Sequence, residues 1–269
     1  MPPLSEKSYS PAEIAAVLLD FYLFLTTLHF DAQYLKLPPA EEGWPGLEPL
    51  LKSLGSSDMV GQVMKRIPYF ERDCKAFIHY QSRLIDYSTL PQDCFEHIMW
   101  GRVSGADEIY SERRQLIINM RDVFPLATGC GTWSKYIWLN VRDGEITLEE
   151  SLMHDLPQID LKMFFNGFKQ DYITLKIIPC RGRITIEADH CEERGEIITE
   201  EDVIAQEEAW GADLDIQYIR QLYRGFGWPL AFRRDEAFDA VDQLMKRLAE
   251  HRDEWEPTEE EWGEYDHWC

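Results

Sequence analysis

The sequence predicts an α+β protein with a central antiparallel sheet and with helices before and after it. Three observations support this. A capped helical signal opens the chain, β-forming residues with a tight-turn signal fill its centre, and helical periodicity follows Asp160 and returns after Asp213.

Ser10-Pro11-Ala12-Glu13 is a capping-box sequence with proline at the first helical position. It predicts a helix running to about His29. The stretch "LKLPPAEEGWPGLEPLLKSLGSSD" reads as a surface loop and then a short helix. A further helix is expected over Met59 to Arg66, ending before Pro68. "YFERDCKAFIHYQSRLIDYS" reads as helix or turn followed by a short strand.

Gln115–Arg121 and Val123–Ala127 are strand candidates, and "WSKYIWLNV" alternates bulky and polar residues. Arg142-Asp143-Gly144-Glu145 signals a hairpin, because Asp-Gly suits a tight turn with positive φ; "EITLEE" then returns. Leu161, Phe164, Phe165, Phe168, Tyr172 and Leu175 follow helical spacing, with Asp160 as the cap. "GRITIEAD" reads as a strand, and Thr199 as the cap of a helix in an acidic zone. Helices over Asp213 to about Tyr223 and Ala231 to about Arg252 complete the body.

The expected organisation is an N-terminal helical segment (1–58), an α+β core (59–185), a helical extension (186–252) and an acidic aromatic tail (253–269).

With 49 acidic against 27 basic residues, the formal charge is −22. Such a field repels nucleic-acid phosphates and anionic membranes. It serves solubility or a basic protein partner. Ala12–Phe30 approaches membrane-span length, but Glu13, Asp20 and His29 interrupt it, so a buried amphipathic helix is expected. The polar start "MPPLSEKSYSPAE" does not read as a signal peptide, and six scattered cysteines without a CxxC pair do not read as a disulfide framework. A cytoplasmic or nuclear location follows, with reduced thiols.

Gly129-Cys130-Gly131-Thr132 invites an active-site reading. A P-loop needs a lysine and a following helix, and a dinucleotide fingerprint needs a third glycine; neither is present. The loop reads as a turn in which glycine reaches unusual backbone angles before a strand. Asp189-His190-Cys191, His154-Asp155 and the His267/Cys269 pair lack zinc spacing, so no metal and no cofactor is expected. Asp20 and Asp86 stand in apolar stretches and are the least ordinary carboxylates.

Binding candidates fall in three groups. Trp133, Tyr136 and Trp138 offer aromatic lining for a pocket. Arg181 and Arg183 offer either a phosphate site or partners for the chain's own carboxylates. Trp255 and Trp262 lie in the acidic tail, which either packs back on the body or forms a docking peptide.

Phe124-Pro125-Leu126-Ala127, Gly129 and Gly131, Leu139-Asn140, Asp143-Gly144 and the paired Phe164-Phe165 resemble the core pattern of the SUKH superfamily. That superfamily includes fungal cell-wall-assembly regulators and bacterial toxin-immunity proteins. The likeness spans roughly Ile67 to Ile178, and Asn140 stands where an aspartate is usual. The whole chain, including "DIQYIRQLYRGFGWP", is also similar to proteins of filamentous fungi. The resemblance implies a small twisted antiparallel sheet with helices packed on it, and a binding module without catalytic residues.

The function expected is therefore a soluble, non-catalytic protein-interaction or regulatory module. The alternatives are a small-molecule enzyme with an aromatic-lined pocket and an acidic inhibitor of a basic nuclease or toxin.

Overall fold

The structure, a computed structural model, describes residues 9–39, 42–91, 108–111, 116–129, 134–150, 158–181, 185–208, 211–250 and 252. Helix α1 (Pro11–Thr26) opens on the predicted box: Ser10 Oγ accepts the Glu13 N–H at 3.3 Å, and the Glu13 carboxylate accepts the Ser10 N–H at 2.9 Å. It stops three residues short of His29. The Thr26 and Thr27 hydroxyls donate to the carbonyls of Leu23 and Phe24, each at 2.7 Å, and the chain turns there. Ile14, Leu18, Phe21, Tyr22 and Leu25 form its buried stripe. Asp20 lies off that stripe, 71% exposed and 2.5 Å from Lys169 Nζ, so its apolar sequence neighbours do not surround it in space.

Two short helices follow, α2 (Glu48–Leu54) and α3 (Asp58–Met64), the second capped by the Ser57 hydroxyl. The sheet has five antiparallel strands in the order β3 (Ser82–Leu84), β6 (Val123–Gly129), β7 (Lys135–Asn140), β8 (Glu145–Glu150) and β9 (Gln158–Asp160). Three two-stranded ribbons accompany it: β1 (Leu35–Lys36) with β2 (Tyr69–Phe70), β4 (Glu108–Ser111) with β5 (Leu116–Asn119), and β10 (Ile177–Ile178) with β11 (Ile186–Glu187).

Register pairs Phe124 with Leu139, Leu139 with Ile146, and Ile146 with Ile159. One apolar row thus crosses four strands, as period-two alternation requires. The β6–β7 register shifts between Pro125 and Ala127, a bulge beside a residue that has no N–H to give the ladder.

The predicted hairpin forms at Val141–Gly144, with Gly144 at φ +63°. Asn140 organises it: its side-chain oxygen accepts the Arg142 and Asp143 N–H groups, and its amide donates to the Asp143 carboxylate at 2.8 Å.

Helix α4 (Leu161–Ile173) starts at Asp160, whose carboxylate accepts the Lys162 and Met163 N–H groups at 3.0 and 3.1 Å. Its aromatic face meets α1, with Phe21 4.7 Å from Phe165 and 5.4 Å from Phe168 between ring centroids.

Helices α5 (Glu200–Ile204), α6 (Asp213–Gly225) and α7 (Arg234–Leu248) complete the fold. They join the body at the C-terminal end of α4. The buried Arg220 donates to the carbonyls of Leu175, Ala188 and Cys191 at 3.1, 2.8 and 2.8 Å, and Trp228 Nε1 donates to that of Tyr172 at 3.0 Å. Residues from Tyr9 to Leu248 contribute to one contiguous apolar cluster. Among the described residues no helix is long and apolar enough to cross a membrane.

Candidate functional site

The acidic zone after β11 forms an exposed, strongly charged stretch of the described surface. Residues 192–208 hold eight acids and one base, Arg194. Two buried side chains pin this segment: Ile198 at 8% exposure and Val203 at 0%. The Ile198 N–H also donates to Gln221 Oε1 on α6 at 3.2 Å. Thr199 and Asp202 then start α5 as a reciprocal pair. The Thr199 hydroxyl accepts the Asp202 N–H at 3.2 Å, and the Asp202 carboxylate accepts the Thr199 N–H at 2.9 Å. Those bonds, from the Thr199 backbone first and its hydroxyl second, hold the Asp202 carboxyl below its ordinary value.

With Ile198 buried, its neighbour Ile197 projects outward and is 89% exposed. It borders an open groove of about 400 Å³ lined by Glu196, Ile197, Ile198, Asp202, Gln206 and Leu214. Glu192, Glu193, Glu196, Glu201, Glu207 and Glu208 are exposed along the same segment. Glu193 and Glu200 pair with Arg224 of α6 and Arg247 of α7. The groove therefore combines carboxylates with an uncovered aliphatic side chain. That combination fits a cationic group carried on an apolar stem.

The sequence-derived candidates are dispersed. Tyr136 and Trp138 stack on one face of β7, with centroids 6.1 Å apart and planes at 16°. Trp138 is 7% exposed and its buried indole N–H has no hydrogen-bond partner among the described residues, while Tyr136 is half-buried and its hydroxyl donates to the Gly129 carbonyl at 3.3 Å. Arg181 stands elsewhere, bound to Asp239 at 2.7 Å and Asp242 at 2.5 Å on α7. Of its two sequence readings, the pairing with the chain's own acids is the one seen. Trp133, Arg183, Trp255, Trp262, Cys130 and His154-Asp155 lie outside the described residues.

Gly129 corrects the angular reading of its loop. It ends β6 without a left-handed φ, and a Cβ there falls 2.2 Å from Ser134 Cβ and 2.6 Å from the Gln81 carbonyl oxygen. Glycine is needed because three chain segments meet at that point.

Asp86 is a buried carboxylate with its partners supplied: Lys36 Nζ at 2.5 Å, the Ser88 hydroxyl at 2.6 Å and the Thr89 hydroxyl at 2.7 Å. Burial raises the thiol pKa of both Cys74 and Cys191 above the ordinary value, which disfavours the reactive thiolate. Among the described residues no group of three His, Cys, Asp or Glu side chains is placed to hold a metal ion.

Sequence reasoning missed the buried pair Asp215–Arg252, with contacts of 2.8 and 3.0 Å. Its one sequence signal is Asp215 at the third position of a helix beginning at Asp213. No family model, curated protein or solved structure matches this chain.

Proposed function

We propose that this chain is a non-catalytic protein-interaction module that docks a basic partner segment on the acidic groove beside α5. The supporting observation is Ile197, uncovered between carboxylates at the edge of an open groove. Isolated exposed aliphatics are ordinary, and so are acidic faces. Their coincidence at a concave surface favours a partner that presents an apolar residue among lysines or arginines. A regulatory or toxin-neutralising role of the SUKH kind fits the same reading, since both act by binding.

The test is fluorescence anisotropy with a labelled peptide in which one leucine is flanked by lysines. Expected are saturable binding that weakens steeply with salt, a loss of about tenfold in affinity for the double variant Glu196→Lys/Glu201→Lys, and a few-fold loss for Ile197→Ser. Asp202 is left intact because it holds the helix cap. Binding indifferent to these substitutions, or to salt, removes the proposal.

A further inference from the structure

His79 sits where four elements meet. It precedes β3, packs against Phe168 of α4 with ring centroids 5.4 Å apart and planes tilted by 36°, and is 7% exposed. Three charged groups face it: Glu187 from β11, Lys135 from the start of β7, and Asp171 from α4. Lys176 and Asp189 act on Asp171 from the turn beyond α4 and from the end of the β11 segment. The backbone on the β7 side is anchored, because the Lys135 N–H donates to the Ser82 hydroxyl at 3.0 Å and that hydroxyl donates to the Lys135 carbonyl.

One ring nitrogen has two claimants. Nδ1 accepts the Tyr80 backbone N–H at 2.8 Å, and the same Nδ1 stands 2.7 Å from Glu187 Oε1. The two contacts need opposite states of the nitrogen. A lone pair on Nδ1 satisfies Tyr80 and turns negative density toward the carboxylate. A proton on Nδ1 satisfies the carboxylate and opposes the Tyr80 N–H. With Nδ1 engaged by Tyr80, Glu187 Oε1 is a buried acceptor with no hydrogen-bond donor among the described residues. A buried acceptor at hydrogen-bond distance from an imidazole nitrogen is a place for a proton.

We propose that His79 Nδ1 is a proton-operated clasp: gaining a proton, it exchanges the Tyr80 N–H for the Glu187 carboxylate and ties the β10–β11 ribbon to the edge of the sheet. Glu187 is suited to the role. Burial works against its charge, but His79 and then Lys135 outweigh it and hold the carboxyl below its ordinary range. The clasp lies at the root of the C-terminal helices. Directly after Glu187 the chain reaches Ala188 and Cys191, whose carbonyls Arg220 of α6 grips.

A double-mutant cycle on the full chain tests it: His79→Gln, Glu187→Gln and the double variant, unfolded by urea at about pH 5.5 and about pH 8. Other titrating groups are common to all four proteins and cancel. The coupling is expected to be on the order of tenfold in the folding equilibrium constant at the acidic pH and near onefold at the alkaline one. Equal coupling at both overturns the clasp. A second readout needs no variant: in nitrogen-15 spectra of the intact protein, Nδ1 of His79 gains its proton as the pH falls, and the Tyr80 amide resonance shifts with it. Loss of that correspondence, with the Tyr80 amide unmoved, also overturns it.

Discussion

The ring of Tyr9 occupies the space that a side chain at Gly144 would need: a Cβ built there lies 2.1 Å from Tyr9 Cδ2. The same tyrosine donates its hydroxyl to Asp160 Oδ2 at 2.8 Å, on the carboxylate that caps α4. Residues from the start of the chain, the hairpin and the α4 cap are thus one packed unit. Burial first, and then the Asp160 bond and charge, push the Tyr9 hydroxyl up to about 12.

Gly144→Ala meets both a left-handed backbone and this ring. A loss of about 3 kcal/mol is expected from strain and overpacking together. Tyr9→Phe keeps the packing and removes only the hydroxyl, so it costs about 1 kcal/mol. Urea unfolding of the two variants separates the contributions. A neutral Gly144→Ala would show that the ring yields easily.

Asn140→Asp tests the hairpin. Aspartate still accepts from the Arg142 and Asp143 N–H groups, but it cannot donate to the Asp143 carboxylate as the amide does at 2.8 Å. Two carboxylates then face each other, for a loss of about 1 kcal/mol at neutral pH, relieved by acid or salt. Thermal melts at neutral and mildly acidic pH check it; an unchanged Tm at neutral pH would remove the expectation.

His29 is buried, its Nε2 lies 3.0 Å from the Phe77 carbonyl, and burial is the main reason its pKa falls to about 4 from the model-peptide value of 6.5. A lowered folded value means that the unfolded chain binds the proton more readily. The stability this residue contributes is present above pH 6.5 and is lost as pH falls toward 4, by about 3 kcal/mol in total. Replacing His29 with glutamine should flatten the fall in Tm across that window; an unchanged slope would assign it elsewhere.

Arg252 reaches back across the C-terminal helices. Its guanidinium meets both oxygens of the buried Asp215 and also donates to the carbonyls of Val203 and Glu208. Arg252→Ala leaves Asp215 buried with the Gln206 amide and the Gly211 and Ala212 N–H groups as its remaining partners. A loss of about 3–5 kcal/mol is expected, measured as a lower urea midpoint. A loss below about 1 kcal/mol would mean that water replaces the guanidinium.

Local chemistry is legible in this sequence because its causes are local. Ser10 with Glu13, Asp160 before Leu161, and Thr199 with Asp202 start helices where their spacing predicts. Asp143-Gly144 turns the chain as its dipeptide requires. Two-residue strands such as β1 and β10 carry too little periodicity to be seen, and they exist because a partner strand lies alongside.

The sequence alone determined the α+β class, the capped helix starts at Pro11, Leu161 and Glu200, the hairpin and the strongly acidic balance, since each follows from contacts a few residues apart or from composition; the last helix, expected from Ala231, begins instead at Arg234. The tertiary structure decided which polar residues matter. Asp20 and Asp86 look alike in the chain, yet one is exposed to water and the other is buried against Lys36. Gly129 reads as a turn residue at unusual backbone angles, yet it is a point of close approach. His79 and Glu187 are more than a hundred positions apart and become neighbours only when the β10–β11 ribbon meets the sheet edge. Burial and long-range proximity set the cost of a charge, and neither is written in the order of the residues.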